Sequence, residues 1–159
     1  MGAACGHSGE SGALAGASLA DALDAAQQRC ADEGERLTGP RRRVLELLLA
    51  AAGPVKAYDL MAGFGVDSAP AKPPTVYRAL EFLERRGFAH RIESLNAYVA
   101  CRRSGESHGA AFLICDCCGA AREVESPTAA DLERLSAASG YEVRTLVMEA
   151  RGLCAACRA

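Results

Sequence analysis

Two cysteine pairs with the same spacing constrain this chain more than any other feature of its sequence. Cys115 and Cys118 stand in CDCCG, and Cys154 and Cys157 stand in LCAACR. A CxxC turn presents two sulfurs to one ion, and two such turns match a tetrahedral site of four thiolates around Zn²⁺. We therefore predict a structural zinc site that clamps the first strand of the C-terminal region to the end of its last strand.

Two alternatives to this ligand set remain open. A thioredoxin-like redox pair opens a helix, whereas here one CxxC follows a predicted strand and the other lies at the end of the sequence. Cys117 lies inside the first pair and could replace Cys118, although Gly119 after Cys118 favours the CxxC spacing.

The apolar composition makes such a metal site valuable for folding. Half of the residues are apolar, but 33 are Ala and 8 are Cys, and the chain has no Trp. Few large side chains remain to fill two small cores, so we expect a metal or dimerisation to add stability. No signal peptide and no long apolar run is visible, so we expect a cytoplasmic protein without membrane contact, where cysteines favour metal binding over disulfides.

The first two thirds of the chain predict helices followed by a β-hairpin. Helical patterns cover residues 19–32, a segment capped by Thr38 and ended by Gly53, residues 56–64, and TVYRALEFLERR up to Gly87. The segments FAHRIES and NAYVACR then alternate around a turn at Leu95 and Asn96. This order is typical of a winged helix-turn-helix.

The last of these helices is the candidate for reading DNA. Its spacing places Val76, Leu80 and Leu83 toward a core and leaves Tyr77 and Arg78 toward solvent or DNA. Residues 36–91 carry ten Lys and Arg against five acidic residues, a balance that suits a polyanion surface. A bundle helix with a solvated basic face is the alternative.

The predicted hairpin also suggests a second metal site. With a turn at Leu95 and Asn96, Glu93 would pair with Tyr98 and His90 would face Cys101, close enough to share a metal. A histidine that simply packs against a cysteine is the alternative. Further candidate ligands are His108 and Glu123, whereas Cys5, His7 and Cys30 have no clear role.

The remaining sequence predicts a small mixed unit. We expect strands at residues 110–115 and 120–125, a helix at 128–139 and a strand at 141–149. The predicted fold is α+β, with a flexible N-terminus (1–17), a winged-helix DNA-binding domain (18–101), a hinge (102–109) and a small α/β dimerisation and zinc-binding domain (110–159).

Several segments carry a resemblance to a known family. The chain resembles the ferric uptake regulator family through LTGPRRRVLELLLAAAGPVKAYDL, AKPPTVYRALEFLERRGFAHRIES, NAYVAC, FLICDCCG and GLCAAC. The resemblance covers about residues 19–158. It implies a homodimeric, metal-dependent repressor that binds double-stranded operator DNA, without catalytic residues and without a small-molecule substrate.

The resemblance also assigns roles to individual residues. It implies a structural zinc site at Cys115, Cys118, Cys154 and Cys157, and a regulatory zinc site at His90, Cys101, His108 and Glu123, hence two Zn²⁺ per subunit. It implies base contacts from Tyr58 and Arg78. The candidate DNA surface further includes Lys72, Thr75, Tyr77 and Arg41.

One departure from the family pattern indicates which metal is sensed. Iron and peroxide sensors of the family carry a His-rich run before the first cysteine pair, and this chain has SHGAAFLIC there. A site that contains Cys101 is softer and suits zinc. We therefore expect a zinc-responsive repressor of zinc uptake genes. The alternatives are an iron or peroxide sensor, and a constitutive winged-helix DNA-binding protein with only structural zinc.

Overall fold

The structure, a computed structural model, describes residues 13–65, 71–101, 110–125, 129–142 and 147–158. The described residues form two compact units, one up to residue 101 and one from residue 110 onward. The helices are α1 (Gly16–Asp32), α2 (Gly39–Ala50), α3 (Ala57–Phe64), α4 (Pro73–Arg85) and α5 (Ala129–Ser139). The strands are β1 (Val55–Lys56), β2 (Ala89–Ile92), β3 (Ala97–Ala100), β4 (Ala110–Cys115), β5 (Ala121–Glu125) and β6 (Val147–Gly152). The predicted α+β fold class is confirmed.

The helix boundaries of the first unit follow the local signals in its sequence. Thr38 precedes α2 in an extended conformation and Pro40 lies in the first turn, where a missing N–H costs little. Helix α4 ends in a Schellman motif. Gly87 adopts a φ of +66° and donates to the Glu84 carbonyl, while Phe88 donates to the Leu83 carbonyl.

One hydrophobic core holds the first unit together. It is built from α1, α2, α3, α4 and the hairpin, and its fully buried large side chains include Phe82, Leu60, Leu80, Leu83, Val44 and Val76. The predicted core face of α4 is therefore confirmed for Val76, Leu80 and Leu83. Cys30 on α1 is also buried here, as a small apolar side chain.

The three-stranded sheet of this unit has the order β1-β3-β2, and β2 and β3 form the predicted hairpin. The predicted register was wrong by two residues, because His90 pairs with Val99 and Ile92 with Ala97. The cause is the loop, in which residues 93–95 wind into a 3₁₀ turn and Asn96 closes it with a φ of +46°. A shift of two residues keeps the face of each side chain, so His90 and Cys101 still share a face as diagonal neighbours.

The second unit is a three-stranded sheet in the order β5-β4-β6, with α5 between β5 and β6 in sequence. Strand β4 pairs antiparallel with β5 and parallel with β6. The predicted strand at residues 141–149 was wrong at its start, because Tyr141 and Glu142 follow α5 without strand structure. Residues 143–146 lie outside the described residues, and the described strand β6 spans Val147–Gly152.

Among the described residues, none of the helices combines the length and the apolar composition needed to cross a membrane.

Candidate metal centres and nucleic-acid surface

The parallel pairing of β4 with β6 brings the two cysteine pairs together. Parallel neighbours end at the same edge of a sheet, and here Cys115 is in register with Gly152. Strand β4 runs into the turn that carries Cys118, and β6 runs into the turn that carries both Cys154 and Cys157. The sulfurs of Cys115, Cys118, Cys154 and Cys157 all lie within 4.8 Å of one another.

Backbone contacts hold the two turns against each other. The Cys154 N–H donates to the Cys115 sulfur with an N···S distance of 3.3 Å, and the Cys118 and Cys154 sulfurs are 3.9 Å apart. Asp116 N–H donates to the Gly152 carbonyl at 2.8 Å, and the Asp116 carboxylate accepts from the Arg151 guanidinium at 2.8 Å. These contacts therefore hold the two turns side by side.

The acidities of the thiols suit a cation at the centre of this cluster. The N–H groups of Cys118 and Cys154 donate to the Cys115 sulfur and lower the pKa of that thiol from 9.0 to about 6. The Cys154 side chain and burial raise the pKa of the Cys157 thiol. The neighbouring sulfurs thus oppose ionisation of Cys157, and a bound divalent cation would offset that cost. Four thiolates at this separation fit Zn²⁺, whose structural sites are tetrahedral.

Cys117 lies beside this cluster without belonging to the group of four. It is exposed, on the turn that spans residues 116–118.

A second pair of soft ligands lies on the hairpin of the first unit. One ring nitrogen of His90 lies within 4.8 Å of the Cys101 sulfur, and both side chains are half-buried. The Cys101 N–H donates to the Phe88 carbonyl at 2.9 Å, which extends the hairpin pairing past β3. Of the other two predicted ligands, His108 lies outside the described residues. Glu123 lies half-buried on β5 of the second unit, in register with Phe112.

The candidate DNA-reading residues lie on the exposed side of the first unit's helices. Tyr77 and Arg78 are exposed on the first half of α4, and Tyr58 on α3 is 77% exposed. Lys72 is exposed just before α4, and Thr75 in its first turn is half-buried. The N-terminus of a helix carries partial positive charge and attracts phosphate, so this end of α4 suits a nucleic-acid backbone.

Arg41 has contacts of a different kind from the other candidates. Its guanidinium lies over the Phe82 ring, 3.6 Å from the centroid, and donates to the Arg36 carbonyl at 2.6 Å. These contacts hold its charge against the α4 side of the core.

Two further arginines make contacts within the first unit that the sequence analysis did not predict. The Arg86 guanidinium pairs with Glu33, at 3.1 Å, and with Glu35, while Arg29 lies over the Phe88 ring and donates to the Arg86 carbonyl. The network ties the end of α1 to the end of α4. The sequence feature that could have suggested this network is the excess of acidic residues in residues 1–35, next to the basic segment that follows.

Comparison with known proteins places these features in a family. A sequence model described as the ferric uptake regulator family matches residues 32–151. The zinc uptake regulation protein of Escherichia coli K12 is 44% identical over 137 residues, which is 85% of this chain and 80% of that protein. The protein of the same name from Shigella flexneri matches equally well.

Solved structures agree with the sequence comparison. A zinc uptake regulator complexed with zinc and DNA has a TM-score of 0.83 at 41% identity, covering 90% of this chain and 97% of that one. Holo XcZur has a TM-score of 0.76 at 43% identity, covering 86% of this chain and 96% of that one. The chain belongs to the ferric uptake regulator family.

Proposed function

We propose that this chain is a zinc-responsive transcriptional repressor that binds operator DNA as a zinc-loaded homodimer in the cytoplasm and controls zinc uptake genes. The observation that carries the proposal is the approach of His90 and Cys101, whose ligand atoms lie within 4.8 Å of each other on the hairpin that follows α4. A potential metal ligand pair thus lies directly after the helix that would read DNA. The similarity to zinc uptake regulators, one of them complexed with zinc and DNA, supports the same function.

The two proposed zinc sites have different tasks. The four-cysteine cluster would hold a structural Zn²⁺, which supplies folding free energy to the second unit. The regulatory Zn²⁺ would be held by His90, Cys101, His108 and Glu123. One thiolate among nitrogen and oxygen ligands suits zinc better than iron.

Metal binding and DNA binding would then be thermodynamically coupled. Zinc at the regulatory ligands would fix the hairpin and so set the spacing of the two α4 helices in a dimer. Zinc would raise DNA affinity, and DNA would raise zinc affinity by the same factor. When free zinc falls, the regulatory site would empty first, and repression would end.

The proposed dimer uses the second unit. Leu113, Tyr141, Met148 and Leu153 are exposed there although they are apolar. Exposed apolar side chains in one small unit indicate a surface that another protein covers.

DNA contacts are proposed for the exposed side of α3 and α4. Arg78 would bind a guanine edge in the major groove through its two-pronged guanidinium, and Tyr58 would contact a base from α3. Tyr77, Thr75 and Lys72 would contact the backbone near the N-terminal end of α4. Arg41 would contribute through the field of its charge, since its guanidinium stacks on Phe82.

The test is operator binding as a function of free zinc, with zinc counted per subunit. The wild type should hold two ions and bind DNA only when both are present. Cys101→Ser should keep the structural ion, remain folded and lose the zinc dependence of DNA binding. Cys117→Ser, which changes an exposed thiol outside both ligand sets, is the matched control. If Cys101→Ser binds operator DNA with unchanged zinc dependence, the sensing assignment is wrong.

Two outcomes would point to the alternatives. One ion per subunit together with DNA binding that ignores added zinc would indicate a constitutive DNA-binding protein. Displacement of zinc by iron from the hairpin site at physiological levels of the two metals would indicate an iron sensor.

A further inference from the structure

Three consecutive arginines in the first turns of α2 have three different environments. Arg41 lies over the Phe82 ring, and Arg42 pairs with Asp24 at 3.4 Å on the exposed surface. Arg43 instead faces α3 and is half-buried, with 28% of its side chain exposed. Each of the three nitrogens of its guanidinium has a partner within the protein. Its charge therefore serves a contact between helices.

The guanidinium of Arg43 forms a two-pronged contact, the Arg43 fork, with the C-terminal end of α3. Nη2 donates to the Gly63 carbonyl at 2.9 Å and Nε donates to the Phe64 carbonyl at 3.3 Å. Nη1 donates to the Glu46 carboxylate at 2.9 Å, which holds the fork in place. The last carbonyls of a helix have no partner within it and carry partial negative charge, so a cation there is favourable. Arg43 supplies this cation from α2, because no basic residue occurs in the α3 sequence AYDLMAGF.

Helix α3 is short enough to depend on contacts along its whole length. It has eight residues, and helices of this length are marginal on their own. The pairing of β1 with β3 holds its start, and the buried Leu60 holds its middle. At its end the Met61 carbonyl accepts the Ala71 N–H at 3.2 Å, and the Arg43 fork binds the last two carbonyls. Loss of the fork should therefore loosen α3 without releasing it.

We propose that Arg43 is a positioning residue for DNA binding, which fixes the orientation of α3 and thereby the place of Tyr58 on the DNA surface. The inference rests on the proposed function, in which Tyr58 contacts a base. Tyr58 is 77% exposed, whereas Leu60, two residues later, is 1% exposed. The two side chains lie on opposite sides of α3, so a tilt of the helix about Leu60 would displace the Tyr58 ring.

Lysine at position 43 would keep the charge but not the fork. A guanidinium is planar and offers its N–H groups in fixed directions, so it can bind two adjacent carbonyls and a carboxylate together. An ammonium group is a point charge on a flexible stem. Arg43→Lys therefore separates the geometry of the contact from its charge.

The experiment is a double-mutant cycle on full-length, zinc-saturated protein. Wild type, Arg43→Lys, Tyr58→Ala and the double variant are compared for binding to a DNA duplex selected from random sequence by the zinc-loaded wild type. Arg43→Lys should weaken binding by about 2- to 10-fold, as expected for the loss of one hydrogen bond. In the Tyr58→Ala background it should weaken binding by less than about 2-fold. Arg42→Lys, an equally conservative change at the neighbouring residue, is the matched control and should bind as wild type.

Amide hydrogen exchange gives a second readout that does not depend on DNA. Exchange in residues 57–64 should be faster in Arg43→Lys than in wild type and in Arg42→Lys, while α4 stays protected as in wild type. Glu46→Gln, which keeps Arg43 but removes one of its partners, should show the same change to a smaller extent. This second variant tests the fork even if Arg43→Lys does not fold.

The salt dependence of binding tests for a direct contact between Arg43 and DNA. The slope of log affinity against log salt should be the same in Arg43→Gln as in wild type, because the guanidinium is engaged within the protein. A slope smaller by about one would indicate a lost phosphate contact and would overturn the proposal.

The outcomes separate the inference from the function on which it rests. If the wild type selects no DNA at any zinc concentration, the proposed function itself is wrong. If it selects DNA, but Arg43→Lys weakens binding equally in both backgrounds or leaves exchange in α3 unchanged, the positioning proposal alone is overturned. Equal binding by Tyr58→Ala and wild type would also overturn it, because no base contact would then depend on the orientation of α3.

Discussion

Replacing Cys115 by serine should unfold the second unit while leaving the first unit folded. Cys115 ends β4, is 4% exposed, and its sulfur accepts the Cys154 N–H at 3.3 Å. A serine hydroxyl does not ionise near neutral pH, so the cluster would keep three thiolates and a poorer site for Zn²⁺.

The size of the effect follows from how little else is buried there. Among the side chains described in the second unit, the buried ones all lie on β4, and the large apolar ones are Phe112 and Ile114. Burial of each contributes about 1.5–3 kcal/mol. A structural zinc site contributes about 10–16 kcal/mol at neutral pH. The free energy from the zinc site is the larger, so losing most of it should destabilise the second unit by more than its apolar contacts can offset.

The assay is thermal unfolding by circular dichroism, together with zinc counted by mass spectrometry. Cys115→Ser should lose one zinc ion per subunit and the unfolding transition of the second unit. The first unit has its own core and should keep its transition. Cys117→Ser, two residues away on the same turn, is the matched control and should behave as wild type. A Cys115→Ser protein with unchanged zinc content and unchanged transitions would refute the reasoning.

Three further outcomes are expected from the first unit. Leu83→Ala removes a side chain with 0% exposure from the core and should lower the free energy of unfolding by about 2–5 kcal/mol, measured by urea denaturation; a loss below about 1 kcal/mol would contradict the packing described. Arg78→Ala should weaken operator binding by about 1–3 kcal/mol without changing the melting temperature, whereas Arg85→Ala, two turns later on the same face of α4, should have a smaller effect because the N-terminal end of a recognition helix contacts the bases. The Arg86 guanidinium lowers the pKa of Glu35 from its usual 4.5, so the ion pair stabilises the fold above about pH 4.5 and is lost as the pH falls below that value. Glu35→Gln should therefore melt slightly below wild type at pH 7 and equally with it in strong acid, and a difference that persists in acid would exclude the ion pair as its cause.

Much of the first unit could be predicted because its signals are local. Thr38, Pro40 and Gly87 mark helix ends through backbone chemistry that does not depend on distant contacts. The apolar spacing that includes Val76 and Leu83 identified the core face of α4 for the same reason.

The hairpin register was harder, because it depends on the loop. A two-residue turn and a four-residue loop place the same residues on the same face, and hydrophobic alternation cannot distinguish them. The 3₁₀ turn that ends at Asn96 decided the register in the structure.

The candidate metal residues were suggested by spacing, but their meeting depends on topology. Two CxxC pairs some 36 residues apart come together only because β6 lies parallel to β4, and no local signal in the sequence specifies that pairing. The alternation around Tyr141 looks like a strand in isolation, so the predicted strand began too early in the sequence. That these cysteines bind zinc stays a prediction.

The parallel pairing of β4 with β6 also has a kinetic consequence. The β4–β5 hairpin is local and can form within microseconds, so the first cysteine pair is held on its turn early. Strand β6 follows α5 in sequence and pairs with β4, which is distant along the chain, and such non-local contacts slow folding because the loop-closure entropy is lost before they form. The second unit should therefore fold in two phases, with an ion captured first by one turn and enclosed by the second only when β6 arrives. The rate of that last phase should increase with zinc concentration.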